Sequence, residues 1–101
     1  MKKWLLVFFL PLCFGSCTSV TLPLQEYTLA RSALDAAGLS DAERLAPLIY
    51  QQAQELFHRA EVLYNEREFE DARLLFIKSR KLSEKAENLA RLKKSKTGEV
   101  L

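Results

Sequence analysis

Two cysteines, one histidine and a run of lysines near the C-terminus are the side chains of this 101-residue sequence with the most chemistry to offer. Nucleophilic catalysis needs an activated thiol or hydroxyl, a base within hydrogen-bond reach, and donors aimed at the charge that develops. His58 is the single histidine. It stands two positions beyond the apolar Leu56, among Glu55, Arg59 and Glu61, on what reads as a solvated helix surface. A His–Glu pair on one helix offers two ligands where a zinc site takes three or four protein ligands, and no second cluster follows. Ser19, Ser32, Ser40, Ser79 and Ser83 fall in a tether, a cap or helix surfaces, and the scattered glycines make no phosphate loop. The residues point away from an enzyme, and no metal or cofactor is expected.

Cys17 is the exception. Met1-Lys2-Lys3 is a short cationic start, Trp4 to Phe14 is almost unbroken apolar sequence, and Phe14-Gly15-Ser16-Cys17 ends it with small residues. That order reads as a secretory signal peptide. A cysteine directly behind the small residues resembles a bacterial lipobox, although Phe14 stands where leucine is commonest. The resemblance implies cleavage between Ser16 and Cys17, diacylation of the Cys17 thiol and a third acyl chain on its new amino group. A membrane-spanning helix is too long for this run: Trp4–Phe14 rises about 16 Å against about 30 Å of hydrocarbon. A soluble secreted product, cut near Gly15 or Cys17, is the alternative. Two acyl chains suffice for stable anchoring. Thr18 rather than Asp follows the cysteine, which under enteric-type sorting implies the outer membrane, facing the periplasm.

Removing residues 1–16 changes the composition. Of 101 residues, 85 remain, enough for one small domain. The full chain carries 15 basic and 13 acidic residues, and Lys2 and Lys3 leave with the leader, so the mature charge is balanced and gives no support to a nucleic-acid partner. Cys13 departs and Cys17 is consumed by lipid, leaving no thiol for a disulfide. The domain must hold together by packing.

The positioning elements follow from apolar periodicity. Residues 17–22 are a lipidated tether and 23–97 a helical domain, with 98–101 a tail. In the first helix, near 23–37, Leu24, Tyr27, Ala30, Leu34 and Ala37 share one face, and Gly38 stands where a left-handed C-cap residue belongs. Ser40-Asp41-Ala42-Glu43 has the form of a capping box, so 39–46 is predicted to be a capped loop or short turn. Proline is tolerated at a helix start and costs about 3 kcal/mol inside one, so the main helix should enter at Ala46 or Pro47 and run to about Asn65. Ile49, Ala53, Leu56, Ala60 and Leu63 form its coiled-coil-like seam, with Tyr50, Phe57 and Tyr64 one heptad apart beside it. After a polar turn at 65–68 the last helix, 68–96, carries Phe69, Ala72, Phe76, Ser79, Leu82, Ala86, Leu89 and Lys93 at matching spacing. The fold class is all-α: a small antiparallel three-helix bundle with a long C-terminal helix.

Two surfaces are candidates for partners. The Tyr50, Phe57 and Tyr64 stripe widens the apolar face beyond what one neighbouring helix covers, which suits a groove for a partner helix or a second copy. Charge is segregated along the chain: five acids and one base lie between Glu61 and Asp71, and eight bases and two acids between Lys78 and Lys96. The helix dipole accounts for part of this. It does not require Lys93, Lys94 and Lys96 to gather where the seam runs out, so these three are a candidate anionic contact.

From Pro23 to about Leu92 the chain resembles the small helical lipoproteins grouped as domain of unknown function 4398. The residues carrying the likeness are Ala33-Leu34-Asp35-Ala36-Ala37-Gly38, the Ala46-Pro47 step and Phe69-Glu70-Asp71-Ala72. The family has no agreed activity, so the resemblance implies fold and location only. Leu56, Ala60, Leu63, Phe69, Ala72 and Phe76 also resemble one tetratricopeptide unit, too few for a peptide-binding array. The expected function is that of a lipid-anchored envelope protein with a structural, non-catalytic role, touching peptidoglycan or another anionic component. The alternative is an adaptor within a larger envelope complex.

Overall fold

The computed structural model describes residues 22–98, which form four α-helices and, among the described residues, no strand. These are α1 (Leu24–Leu39), α2 (Ala42–Leu45), α3 (Pro47–Asn65) and α4 (Phe69–Thr97). The leader, Ser16, Cys17, the tether up to Thr21 and the tail from Glu99 lie outside the described residues.

The α1–α2 junction differs from the sequence expectation. Gly38 is helical, and α1 ends one residue later at Leu39, capped by Ser40, whose N–H reaches the carbonyls of Ala36 and Ala37 (3.0 and 3.2 Å). The left-handed residue is Asp41, with φ 65°. A Cβ on Gly38 would lie at an ordinary contact distance of 3.4 Å from the Tyr50 hydroxyl, so neither backbone angle nor packing requires glycine there. Nor does Ser40 form a capping box. It closes α1, while the Asp41 carboxylate accepts a 2.7 Å bond from Arg44 Nε. Proline disfavours helical geometry in the residue before it, and Ala46 is accordingly non-helical (φ −138°), separating α2 from an α3 that opens with Pro47.

At the α3–α4 turn the chain reverses through Arg67, also left-handed at φ 65°. Its N–H bonds the Tyr64 carbonyl at 3.0 Å, and the Glu68 N–H bonds that of Leu63 at 2.9 Å. This is a Schellman closure with arginine in the position usually held by glycine. Gly98, left-handed at φ 73°, ends α4 as its sequence position predicts.

α1 and α4 run one way and α3 the other. At one end Ala30, Phe57, Ala60, Ala72 and Phe76 form a buried cluster, flanked by Tyr27, Leu34, Leu63, Tyr64 and Leu75. At the other, Ala37, Ala42, Ala46, Ala86 and Ala90 form a second cluster, flanked by Leu45, Ile49, Tyr50 and Leu89. Between them Ser79 is fully buried, and its hydroxyl donates a 2.8 Å bond across the interface to the Ala53 carbonyl. Ser83 satisfies its own hydroxyl on the Ser79 carbonyl, also at 2.8 Å. A buried hydroxyl must find such a partner, and here the partner ties α4 to α3.

The seams keep Ala53, Ala60, Ala72, Phe76, Ser79 and Ala86 as read in the sequence, but shift by one position at Phe57, Ser83 and Ala90. The buried residues of α4 are Ala72, Phe76, Ser79, Ser83, Ala86 and Ala90, while those of α3 are Ala53, Phe57 and Ala60. Leu56, Leu82 and Leu89 are only partly buried. Small side chains at the centre let the helices approach closely, and the larger leucines are pushed to the flank. α1 covers one face of the α3–α4 hairpin and meets α4 more extensively than α3. Arg73 of α4 reaches across to it, with Nε 3.5 Å from Glu26 Oε1 and a terminal nitrogen 3.2 Å from Glu70. At 3.5 Å the first is a charge contact, and Nε is buried with no hydrogen-bond partner.

Candidate functional site

The aromatic stripe is where α1 docks. Phe57 is 9% exposed, its ring 5.5 Å from Tyr27 and 5.4 Å from Phe76, while Tyr27 meets Phe76 edge-on at 5.5 Å. Tilted and edge-on packing of this kind adds about 0.5–1.5 kcal/mol per pair beyond area burial. Tyr27 fills the width that the sequence assigned to an outside partner. Tyr50 and Tyr64 are partly buried, Tyr50 beside Gly38 and Tyr64 edge-on to Phe69 at 5.4 Å. A shallow cavity stays open at the turn end, lined by Leu24, Tyr27, Glu61, Tyr64, Asn65 and Phe76, and further depressions adjoin Phe57 and Tyr50.

Above the turn-end cavity lies Arg31, exposed on α1 one turn beyond Tyr27. Its guanidinium donates to the Tyr27 hydroxyl (3.1 Å), and that bond, with the charges of Asp35 and Glu61, pushes its pKa up from an already high value. Arg31 thereby offsets part of the acidity of the α1–α3 groove.

The lysines do not form one patch. The Lys93 ammonium donates to the carbonyl of Leu45, the last residue of α2. Helix C-termini present unpaired carbonyls and partial negative charge, which explains the attraction. Lys94 is partly buried and Lys96 exposed, both in the last turn of α4. Two arginines of the basic segment are paired along the helix: Arg80 with Glu84 at 3.0 Å and Arg91 with Glu87 at 2.6 Å. The tertiary fold also returns the acidic Asp41 at the start of α2 and Glu43 within it to the basic end of α4, beside the Ala42–Ala90 cluster. Segregation along the chain is therefore stronger than segregation in space.

His58 is 86% exposed and lies 3.5 Å from Glu61 through Nδ1. Among the described residues no three His, Cys, Asp or Glu side chains converge on a metal-sized point. Nor is any described helix long and apolar enough to cross a membrane. Periodicity alone did not reveal the buried Ser79–Ala53 bond or the Arg73–Glu26 contact. Serine in an apolar seam position is the signal for the first, since it needs an acceptor there.

A search of curated proteins and of solved structures found no match to the chain. A family model matches residues 25–99, from the first turn of α1 to just past the end of α4. That span is the whole three-helix unit and well over half of the sequence, so the chain belongs to the family described as the domain of unknown function DUF4398.

Proposed function

We propose that this protein is a lipid-anchored, non-catalytic scaffold of the cell envelope. Cys17, freed by cleavage after Ser16, carries the acyl chains, and the helical unit stands off the periplasmic side of the outer membrane. The observation that supports this reading is the direction of the helices. Leu24 and Tyr27 line a cavity with Tyr64 and Asn65, while Ala37 shares a cluster with Ala90. The chain thus enters at the acidic Glu66–Asp71 end, and α4 carries its basic end about 40 Å away. Bases held distally suit contact with a carboxylate-bearing wall polymer such as peptidoglycan. Lys94 and Lys96 are the contact residues, because the Lys93 ammonium is engaged by Leu45.

Mass spectrometry of the membrane fraction tests the anchor. An acylated N-terminal peptide beginning at Cys17 is expected, and a free amino terminus at Ser16 or Thr18 would overturn it. For the wall contact, salt-sensitive co-sedimentation with peptidoglycan should weaken in a Lys94→Gln/Lys96→Gln variant. Binding that ignores both salt and these lysines removes that part of the reading.

A further inference from the structure

The face of the α3–α4 hairpin opposite α1 carries a second set of heptad-spaced residues. On α4, Arg73 follows the seam residue Ala72 and reaches Glu26, so α1 lies on that side. Leu75, Leu82 and Leu89 each precede a seam residue (Phe76, Ser83, Ala90) and so lie on the other side. On α3 the same reasoning holds: Phe57 touches Tyr27 of α1, and Ile49, Leu56 and Leu63 lie one step away, facing outward from α1. All six are partly buried. The direct contacts between the two helices set the register: Ser79 on Ala53, Phe76 on Phe57 and Phe69 on Tyr64. Leu56 therefore stands between Leu75 and Leu82, and the two rows interleave as a ladder, each row about 21 Å long, the length of about four helical turns.

The rims of this groove are cationic along its middle and acidic at the turn end, where Glu66 and Asp71 hold the same heptad places. Lys78 and Lys85 each follow a ladder leucine by three residues and precede the next by four, which places them on the same face of α4. Arg59 holds the equivalent place between Leu56 and Leu63 on α3. All three are exposed. A shallow depression lined by Lys81, Glu84, Lys85, Asn88, Leu89 and Leu92 opens beside its upper end, with Glu84 paired to Arg80.

We propose that this groove receives an acidic amphipathic helix of a partner protein, apolar residues on the ladder and carboxylates against Arg59, Lys78 and Lys85. Shape and charge select that occupant. The apolar floor lies between two charged ridges, where a convex helix reaches it and a planar bilayer meets the ridges first. A second copy is disfavoured by symmetry. A two-fold pair of α4 helices centred on Leu82 sets Lys78 against Lys85, like charge on like. The α1–α3 side lacks this character, because Arg31 sits among its acids.

The test uses the full chain in zwitterionic nanodiscs, or free in solution if it carries no acyl chain, so its outcome does not depend on the anchor. The probes are two labelled 18-residue helical peptides with leucine at a and d, one with glutamate and one with lysine at e and g. Fluorescence anisotropy should show the glutamate peptide binding at least tenfold more tightly, with affinity falling as salt rises. Lys78→Glu/Lys85→Glu should reverse the preference, while Arg31→Gln changes it less than twofold; circular dichroism verifies that each variant is folded. Equal binding of the two peptides, or a preference indifferent to the double reversal, overturns the proposal. So does concentration-dependent dimerisation that blocks the peptide, or loss of peptide binding when phosphatidylglycerol is added to the discs, which would assign the face to a second copy or to lipid.

Discussion

Replacing Arg67 by glycine should stabilise this protein, although it removes a charged, long side chain. Arg67 holds φ 65° at the α3–α4 turn, where its N–H and that of Glu68 close the helix on Tyr64 and Leu63. A residue with a Cβ in that region costs about 1–2 kcal/mol, whereas glycine adopts it freely. Against this, glycine loses more backbone freedom on folding, by about 0.5–1 kcal/mol. Arg67 is exposed, so little packing is lost. The balance is a gain of about 0.5–1 kcal/mol, which for a domain of this size raises Tm by roughly 2–8 °C. Asp41 is the internal control. It has the same φ of 65°, but aspartate tolerates the left-handed region better, and its carboxylate pairs with Arg44 at 2.7 Å. Asp41→Gly should therefore be neutral or slightly destabilising. Urea unfolding followed by helical circular dichroism reads both, as midpoint shifts at constant slope. An Arg67→Gly variant less stable than the parent, or equal gains from both glycines, would refute the reasoning about left-handed strain.

Phe76→Ala should cost about 3–5 kcal/mol, because the ring is fully buried against Tyr27 and Phe57, and urea unfolding should show much of the cooperative transition lost. A cost under 1 kcal/mol would mean that the aromatic cluster does not hold α1. Gly38→Ala should raise stability by about 0.5–1 kcal/mol, since the position is helical and a Cβ would sit at an ordinary 3.4 Å from the Tyr50 hydroxyl. A lower Tm in that variant would show that Tyr50 cannot yield even slightly. Lys93→Met should speed amide hydrogen exchange in α2 without altering the aromatic end, as the ammonium bonds the final α2 carbonyl. Unchanged exchange at Leu45 and Ala46 would mean that the alanine cluster alone fastens the segment.

Much was legible before any coordinates. Apolar spacing located three long helices, Pro47 started the main one, the polar 65–68 stretch turned the chain, and Gly98 ended it, because each acts through local geometry that no distant contact overrides. The expectation of a lipidated Cys17 also rests on a local pattern, in residues that lie outside the described part of the chain. What periodicity could not decide was which of two adjacent heptad stripes is the centre. On α3, Leu56 and Phe57 differ by one position, and either stripe fits a 3.5-residue repeat. Tertiary packing resolved it: alanine and serine allow close helix approach, Tyr27 of α1 fills the space beside Phe57, and the leucines are left on the flank. The same holds for the charges. The basic run is a fact of sequence, but only the fold pairs Arg80 and Arg91 with acids one turn away, turns Lys93 onto the end of α2, and leaves Lys78 and Lys85 beside an apolar ladder. A sequence specifies what each residue prefers locally. Which neighbour satisfies a buried hydroxyl, a bare carbonyl or an ammonium depends on helices distant in sequence meeting in one register, and that the tertiary structure alone decided.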